Sequence, residues 1–326
     1  MIDPFGRSLN YLRMSVTDRC NLRCQYCMPE EGIASVGHGS ILSYEELLRV
    51  ARVASRLGIR KIRVTGGDPL VRKGIVNFLG QLASLPEKPE ITLTTNGLRL
   101  AEFAVDLKAA GVNRVNVSLD TLRTDRFERI TRRAGLDQVL AGLEAAESAG
   151  LGPLKLNMVP MAGINSDEIA DFARLTLDRP WDVRFIELMP VSSRLEVGEK
   201  QRVPLKTILA ELRKLGELET ELPTGPHGPA QLFRLPGARG CLGVIPAVSS
   251  HFCNECNRLR VTADGRIRPC LFSDQEIDLR SVLRDSADDQ PLEELFRQAA
   301  AGKPNGHNLK SCGCGPGDRL MQQIGG

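Results

Sequence analysis

At 326 residues with 42% hydrophobic side chains, the chain is long enough for one large α/β barrel or two ordinary domains with a real core. Aromatic residues make up only 4%, so aliphatic side chains must fill most of that core. A formal net charge of +3 leaves no case for nucleic-acid binding by bulk electrostatics, so any anion site must be built from a few placed residues. In chain order, residues 11–16 read as a first strand. Ser43, with Glu46 three residues on, predicts a capping box opening a helix whose Leu47, Val50, Ala51, Ala54 and Leu57 share one face. Strands follow at 61–65, 91–94, 114–118, 154–158 and 183–188, alternating with helical patterns near 75–85, 101–110, 136–149 and 167–177. Gly58, Gly111 and Gly150 fall where helix C-caps belong.

Six strand–helix units in a row predict parallel strands joined by crossover helices. A TIM barrel needs eight, so the expected fold class is α/β, either an incomplete parallel (β/α)6 TIM-like barrel or an open doubly wound sheet. After Pro190 the character changes to one helix near 206–215, a Pro/Gly-rich stretch, and a compact metal-site pattern over 253–270. The expected division is a partial barrel over 1–190 and a C-terminal extension over 191–326.

No stretch approaches the apolar length of a membrane span, and the N-terminus lacks the apolar core of a signal peptide. A cytoplasmic protein with no membrane partner is expected. Nine cysteines then argue for metal ligation or redox chemistry rather than disulfides. Cys20, Cys24 and Cys27 follow the first strand on one loop. Thiolates suit iron–sulfur clusters or zinc. Three of them can hold three irons of a 4Fe–4S cube and leave the fourth open to a substrate; a zinc knuckle with a distant fourth ligand fits the same three residues. Cys253, Cys256 and Cys270 form a second set, again one short of four. Cys241, Cys312 and Cys314 read as free thiols, with an extra metal site or redox pair as the alternative, and His38, His227, His251 and His307 show no helical ligand spacing.

Strand alternation supplies separate information. Leu12, Met14 and Val16 oppose Tyr11, Arg13 and Ser15; Ile62 and Val64 oppose Lys61, Arg63 and Thr65; Leu154, Leu156 and Met158 oppose Lys155 and Asn157. If the apolar face meets the helices, Arg13, Arg63 and Lys155 point into the lumen, where burial is costly unless a charged ligand pairs with them. A polyanion such as a nucleotide triphosphate is expected there. The alternative is that these residues sit at strand ends or pair with carboxylates.

The C-x₃-C-x₂-C spacing with Tyr26 before its last cysteine, and Gly66-Gly67-Asp68-Pro69 after the second strand, resemble the radical S-adenosylmethionine superfamily. The segment Cys253-Asn-Glu-Cys256-Asn-Arg258-Leu259-Arg260, continuing to Cys270, narrows the resemblance to the GTP 3′,8-cyclase family of molybdenum cofactor biosynthesis. Asp3-Pro-Phe-Gly-Arg7, Thr94-Thr-Asn-Gly97, Phe185-Ile-Glu-Leu-Met-Pro190 and the terminal Ile324-Gly-Gly326 extend the resemblance along nearly the whole chain.

That resemblance implies two 4Fe–4S clusters, the first on Cys20, Cys24 and Cys27 and the second on Cys253, Cys256 and Cys270. It implies S-adenosyl-L-methionine bound by Tyr26, Gly67, Ser118 and Met189. It also implies GTP held by Arg13, Arg63, Thr94, Lys155, Arg258, Leu259 and Arg260, with Arg13, Arg258 and Arg260 catalytic and a terminal Gly325-Gly326 tail reaching the site. The implied reaction uses a 5′-deoxyadenosyl radical to take the 3′ hydrogen of GTP and close the ribose onto C8. The product, 3′,8-cyclo-7,8-dihydro-GTP, would pass to a cyclic pyranopterin synthase. An external electron donor and a homodimer are implied as well. One departure stands out: Asp68 occupies a position where the family usually has Glu.

Two rival readings remain at this point. A peptide-modifying radical enzyme would have no triphosphate to meet its cationic strands. A zinc-stabilised binding module would have no catalysis.

Overall fold

The computed structural model describes residues 1–33, 37–189, 197–222, 228–250, 252–307 and 319–325. Pro190, His227, His251, Cys312, Cys314 and Gly326 lie outside the described residues. The strands are β1 (Tyr11–Ser15), β2 (Lys61–Thr65), β3 (Glu90–Thr95), β4 (Arg114–Ser118), β5 (Lys155–Met158), β6 (Asp182–Ile186), β7 (Glu219–Glu221), β8 (Gln231–Arg234), β9 (Leu242–Ile245), β10 (Arg258–Val261), β11 (Arg266–Arg268) and β12 (Ile277–Asp278). The helices are α1 (Tyr44–Arg56), α2 (Ile75–Ala83), α3 (Leu100–Ala109), α4 (Thr124–Thr131), α5 (Leu136–Ser148), α6 (Ile169–Asp178), α7 (Leu205–Arg213), α8 (Arg280–Asp285) and α9 (Gln290–Ala301).

All twelve strands join one sheet in the order β12-β11-β10-β1-β2-β3-β4-β5-β6-β9-β8-β7. β1 to β6 run parallel as the six-unit pattern predicts. The sheet does not stop there. β9 adds parallel to β6 and β10 adds parallel to β1, so residues beyond 190 extend both edges of the same sheet. Antiparallel partners then finish each end, β8 and β7 at one and β11 and β12 at the other. The end strands do not pair with each other, which leaves an open, partial barrel.

Alternation decides what each face meets. Leu12, Met14, Ile62, Val64, Ile91, Leu93, Val115, Val117, Leu156, Val183 and Phe185 are fully buried in the core cluster that includes the helices' apolar stripes. In α1, Ser43 accepts from the Glu46 amide while the Glu46 carboxylate accepts from the Ser43 amide, closing the capping box. Gly58 follows that helix at φ +100, a backbone conformation that a Cβ would penalise. No helix among the described residues is long and apolar enough to cross a membrane.

Candidate active site

The polar faces of the strands line a cavity of about 600 Å³. Arg13, Arg63 and Lys155 all face it, and each is only 9% exposed. Strand register makes the arrangement more specific than three separate cations. Arg13 lies opposite Arg260 on one side and Arg63 on the other, Arg63 lies opposite Thr92, and Thr92 lies opposite Arg114. A parallel row sets Arg258 opposite Tyr11 and Tyr11 opposite Lys61. Like charges directly opposite one another on a sheet are destabilising.

The electrostatics carry that signature. Burial, followed by repulsion from Arg63 and Arg258, brings Arg13 down to about 10 even though Tyr11 acts in the other direction. Burial and the neighbouring Arg184 lower Lys155 to about 8. Burial pushes the Tyr11 phenol up, but Arg63, Arg13, Lys61 and Arg258 outweigh it and set it at about 8.

Carboxylates compensate part of this wall. Lys155 pairs with Asp182 at 2.9 Å, and Lys61 and Arg114 both reach Glu90. Arg63 instead donates to the Thr92 hydroxyl at 3.3 Å, and Arg13 to a backbone carbonyl. Several polar atoms in the same wall are buried with no hydrogen-bond partner: Thr94 Oγ1, both amide atoms of Asn116, Asn157 Oδ1 and Arg184 Nε. Each such atom costs about 1–3 kcal/mol unless a ligand satisfies it. A polar, anionic ligand suits this wall.

Cys20, Cys24 and Cys27, on the loop after β1, line the cavity. The loop is tied to the end of α4, where the Arg23 and Gln25 amides donate to the carbonyls of Thr131 and Ile130 at 2.9 and 3.0 Å. Burial raises all three thiols, Cys20 to about 11 and Cys27 to about 12, and like charge from sibling sulfurs adds to the rise at Cys24 and Cys27. Three close thiols in so dry a place hold their protons unless metal replaces them.

Cys253, Cys256 and Cys270 line the same cavity. Burial and sibling cysteines raise Cys253, whereas Cys256, pushed up by burial, is brought to about 6 by Arg258 and Lys303 beside it. No three His, Cys, Asp or Glu side chains among the described residues converge as around a single ion. Thiolates are soft donors that suit an iron–sulfur cluster, and each triplet sets three of them on the cavity wall.

The other predicted residues fall as follows. Tyr26, Gly67, Ser118, Met189 and Thr94 all border the cavity, as do Arg258 and Arg260. Leu259 does not: its side chain is fully buried in the core, because alternation on β10 turns it away from its two arginine neighbours. At Gly67 an added Cβ would stand 2.2 Å from the Arg19 carbonyl oxygen, so only glycine lets the two chain segments approach. Asp68 has a structural place. Its carboxylate accepts from the amides of Leu70 and Asn96 and from the Thr95 hydroxyl, joining the turns after β2 and β3. The shorter Asp side chain thus finds a complete set of partners. Tyr26 donates to Asp120 at 2.7 Å, and burial raises that carboxyl to about 6 even though Tyr26 and the Val159 amide pull it down.

Of the residues that sequence reasoning did not single out, Arg114, Asn116 and Arg184 border the cavity on β4 and β6, and alternation applied to those strands would have found them; Tyr11, which alternation on β1 sets on the face of Arg13, borders it too. Gln322 and Lys303 also border it, without a pattern in the sequence to mark them.

Residues 14–176 match the Radical SAM superfamily and residues 181–309 match Molybdenum Cofactor Synthesis C. A GTP 3′,8-cyclase of Geobacter sulfurreducens is 52% identical over 326 residues, covering 100% of this chain and 99% of that protein. Another, from Heliobacterium modesticaldum, is 51% identical with both chains covered in full. Among solved structures, Streptococcus suis SuiB bound to S-adenosylmethionine shares the fold at a TM-score of 0.62 and 15% identity, over 94% of this chain and 71% of that one. The chain belongs to the GTP 3′,8-cyclase family of radical S-adenosylmethionine enzymes.

Proposed function

We propose that this protein converts GTP to 3′,8-cyclo-7,8-dihydro-GTP, the first step of molybdenum cofactor biosynthesis, with the two cysteine triplets as the two ends of one reaction chamber. The single observation that carries this reading is the shared cavity: both triplets border it, and so do the arginine rows of β10, β1 and β2.

In this reading Cys20, Cys24 and Cys27 hold a 4Fe–4S cluster beside S-adenosyl-L-methionine. Cys253, Cys256 and Cys270 hold a second. The first cluster with S-adenosyl-L-methionine would supply the radical chemistry, and the second, held by Cys253, Cys256 and Cys270, would anchor the guanine base.

The chain's own residues do the rest. Arg13, Arg63, Lys155, Arg258 and Arg260 bind the triphosphate and relieve their mutual repulsion by doing so. Thr94, Asn116 and Asn157 offer the buried polar atoms that a ribose or a methionine headgroup would satisfy. Gly67 lets backbone approach S-adenosyl-L-methionine, with Tyr26, Ser118 and Met189 around it. The dry walls keep water from the reacting atoms. An external donor supplies the electron and a cyclic pyranopterin synthase takes the product. The 1–190 portion then carries the radical-generating triplet with Arg13, Arg63 and Lys155, and the 191–326 portion carries the second triplet with Arg258 and Arg260.

Nucleotide affinity of anaerobically reconstituted protein tests the reading. GTP should bind at least tenfold more tightly than ATP, and Cys256→Ala should erase that preference while phosphate contacts remain. Equal affinity for both nucleotides in the unmodified protein would refute it.

A further inference from the structure

The Asp3–Arg7 segment stands apart from the cavity lining, yet its bonds lead to the second cysteine triplet. Asp3 Oδ1 accepts from the amides of Phe5 and Arg7, and Gly6 completes the turn at φ +79. This turn delivers a buried guanidinium whose Nε donates to Asp3. Its Nη1 donates to the Cys253 carbonyl at 2.7 Å, and its Nη2 to the Pro304 carbonyl at 2.7 Å. Nη1 also reaches the Asn305 carbonyl at 3.2 Å. Those last two carbonyls immediately follow Lys303, which is 3% exposed. Lys303 Nζ donates to the carbonyls of Arg258 and Pro269 at 2.8 and 2.7 Å.

The three cysteines are thus each tied down by a buried cation. Arg7 holds Cys253 by its own carbonyl. Lys303 holds Cys270 through the residue before it and Cys256 through the residue two beyond. A buried cation without a facing carboxylate is costly, and Lys303 bonds only neutral carbonyls in these contacts. A thiolate-ligated cluster, which carries net negative charge, would supply the missing counter-charge.

We propose that Arg7 and Lys303 brace the second triplet and position its three sulfur ligands, and that the charge on Lys303, which no carboxylate offsets in these contacts, favours the reduced state of the cluster they hold. This rests on the reading of Cys253, Cys256 and Cys270 as cluster ligands. The reduced cluster is more negative than the oxidised one, so a nearby cation raises its potential and removal of that cation lowers it.

The test uses full-length protein carrying Cys24→Ala, so that only the second cluster assembles, with iron content and a spectroscopic redox titration as readouts. Lys303→Met should lower the reduced-to-oxidised ratio at a fixed potential about tenfold, a shift of about 59 mV for one electron. Lys303→Arg should bring the ratio back to within about threefold of the parent. Arg7→Met should lose at least half of the bound iron, and Arg7→Lys should recover part of it. Unchanged potential in Lys303→Met together with full iron in Arg7→Met would overturn the brace while leaving the cluster assignment standing. A Cys24→Ala parent that binds no cluster at all would overturn both.

Discussion

Arg13 and Gly325, separated by 312 positions, are joined directly: the guanidinium Nε and Nη2 both donate to the glycine carbonyl, at 3.2 and 2.9 Å. The C-terminal segment therefore returns to the first strand, as the terminal glycines suggest, although Gly326 itself is not described. Gly325 sits at φ +80, and an added Cβ would lie 3.1 Å from Thr65 Cγ2 and 3.4 Å from Ser15 Cβ. Gly325→Ala should cost about 1–3 kcal/mol in backbone strain alone. Because the strain falls on a terminal segment, it should displace the tail rather than unfold the protein. Product formation should fall at least tenfold while the melting temperature moves by no more than a few degrees. Steady-state turnover and a thermal melt on the same preparation check both halves.

The arginine rows make a prediction about stability. Arg63 faces Arg13 directly across two strands, and no carboxylate pairs with it among its hydrogen bonds and ion pairs given above. Arg63→Met removes that repulsion while keeping the aliphatic stem. The nucleotide-free variant should be at least as stable as the parent, and GTP should bind it at least tenfold more weakly. Thermal melts with and without GTP should show a raised or unchanged baseline and a smaller ligand-induced increase.

Lys155 and Tyr11 predict opposite pH trends for the free and the bound protein. Both have folded values near 8, below their ordinary values of 10.5 and 10.0. Between about pH 8 and 10 the unfolded chain therefore binds more protons than the folded one, so the stability of the nucleotide-free protein rises with pH across that window. A bound triphosphate favours the protonated ammonium, so GTP affinity falls as pH rises through 8, and binding near pH 8.5 takes up protons. Calorimetry in buffers of different ionisation enthalpy measures that uptake directly. Proton release on binding would contradict the placement of triphosphate beside Lys155.

The two triplets separate radical generation from substrate anchoring. Cys24→Ala should abolish cleavage of S-adenosylmethionine, whereas Cys256→Ala should preserve it and lose cyclised product. Iron should fall from about eight to about four per chain in each variant, since a cube holds four. Metal analysis and quantification of 5′-deoxyadenosine check this pair together.

Where the sequence carried a strong local pattern, the fold could be read closely. Strands 61–65 and 114–118 match β2 and β4 at both ends, because alternation and flanking turns bound them sharply. The Ser43 capping box is present with both reciprocal bonds. α4 escaped notice because its sequence, from Thr124 to Thr131, is mostly polar and buries little beyond Phe127 and Ile130. Strands β9 and β10 escaped for a different reason. Pairing Tyr11 with Arg258 joins residues far apart in the chain, and no local pattern encodes such a contact. The cavity wall was legible in Arg13, Arg63 and Lys155. It was equally so in Arg114 and Arg184, had β4 and β6 been read the same way. Alternation splits the contiguous Arg258-Leu259-Arg260 motif, turning the Leu259 side chain to the core and leaving only its backbone for a ligand contact.

The most direct measurement is anaerobic turnover of the reconstituted protein with GTP, S-adenosylmethionine and a reductant, followed by identification of the nucleotide product. One chamber shared by both triplets predicts 3′,8-cyclo-7,8-dihydro-GTP in step with 5′-deoxyadenosine. Accumulation of 5′-deoxyadenosine with GTP recovered intact would contradict it.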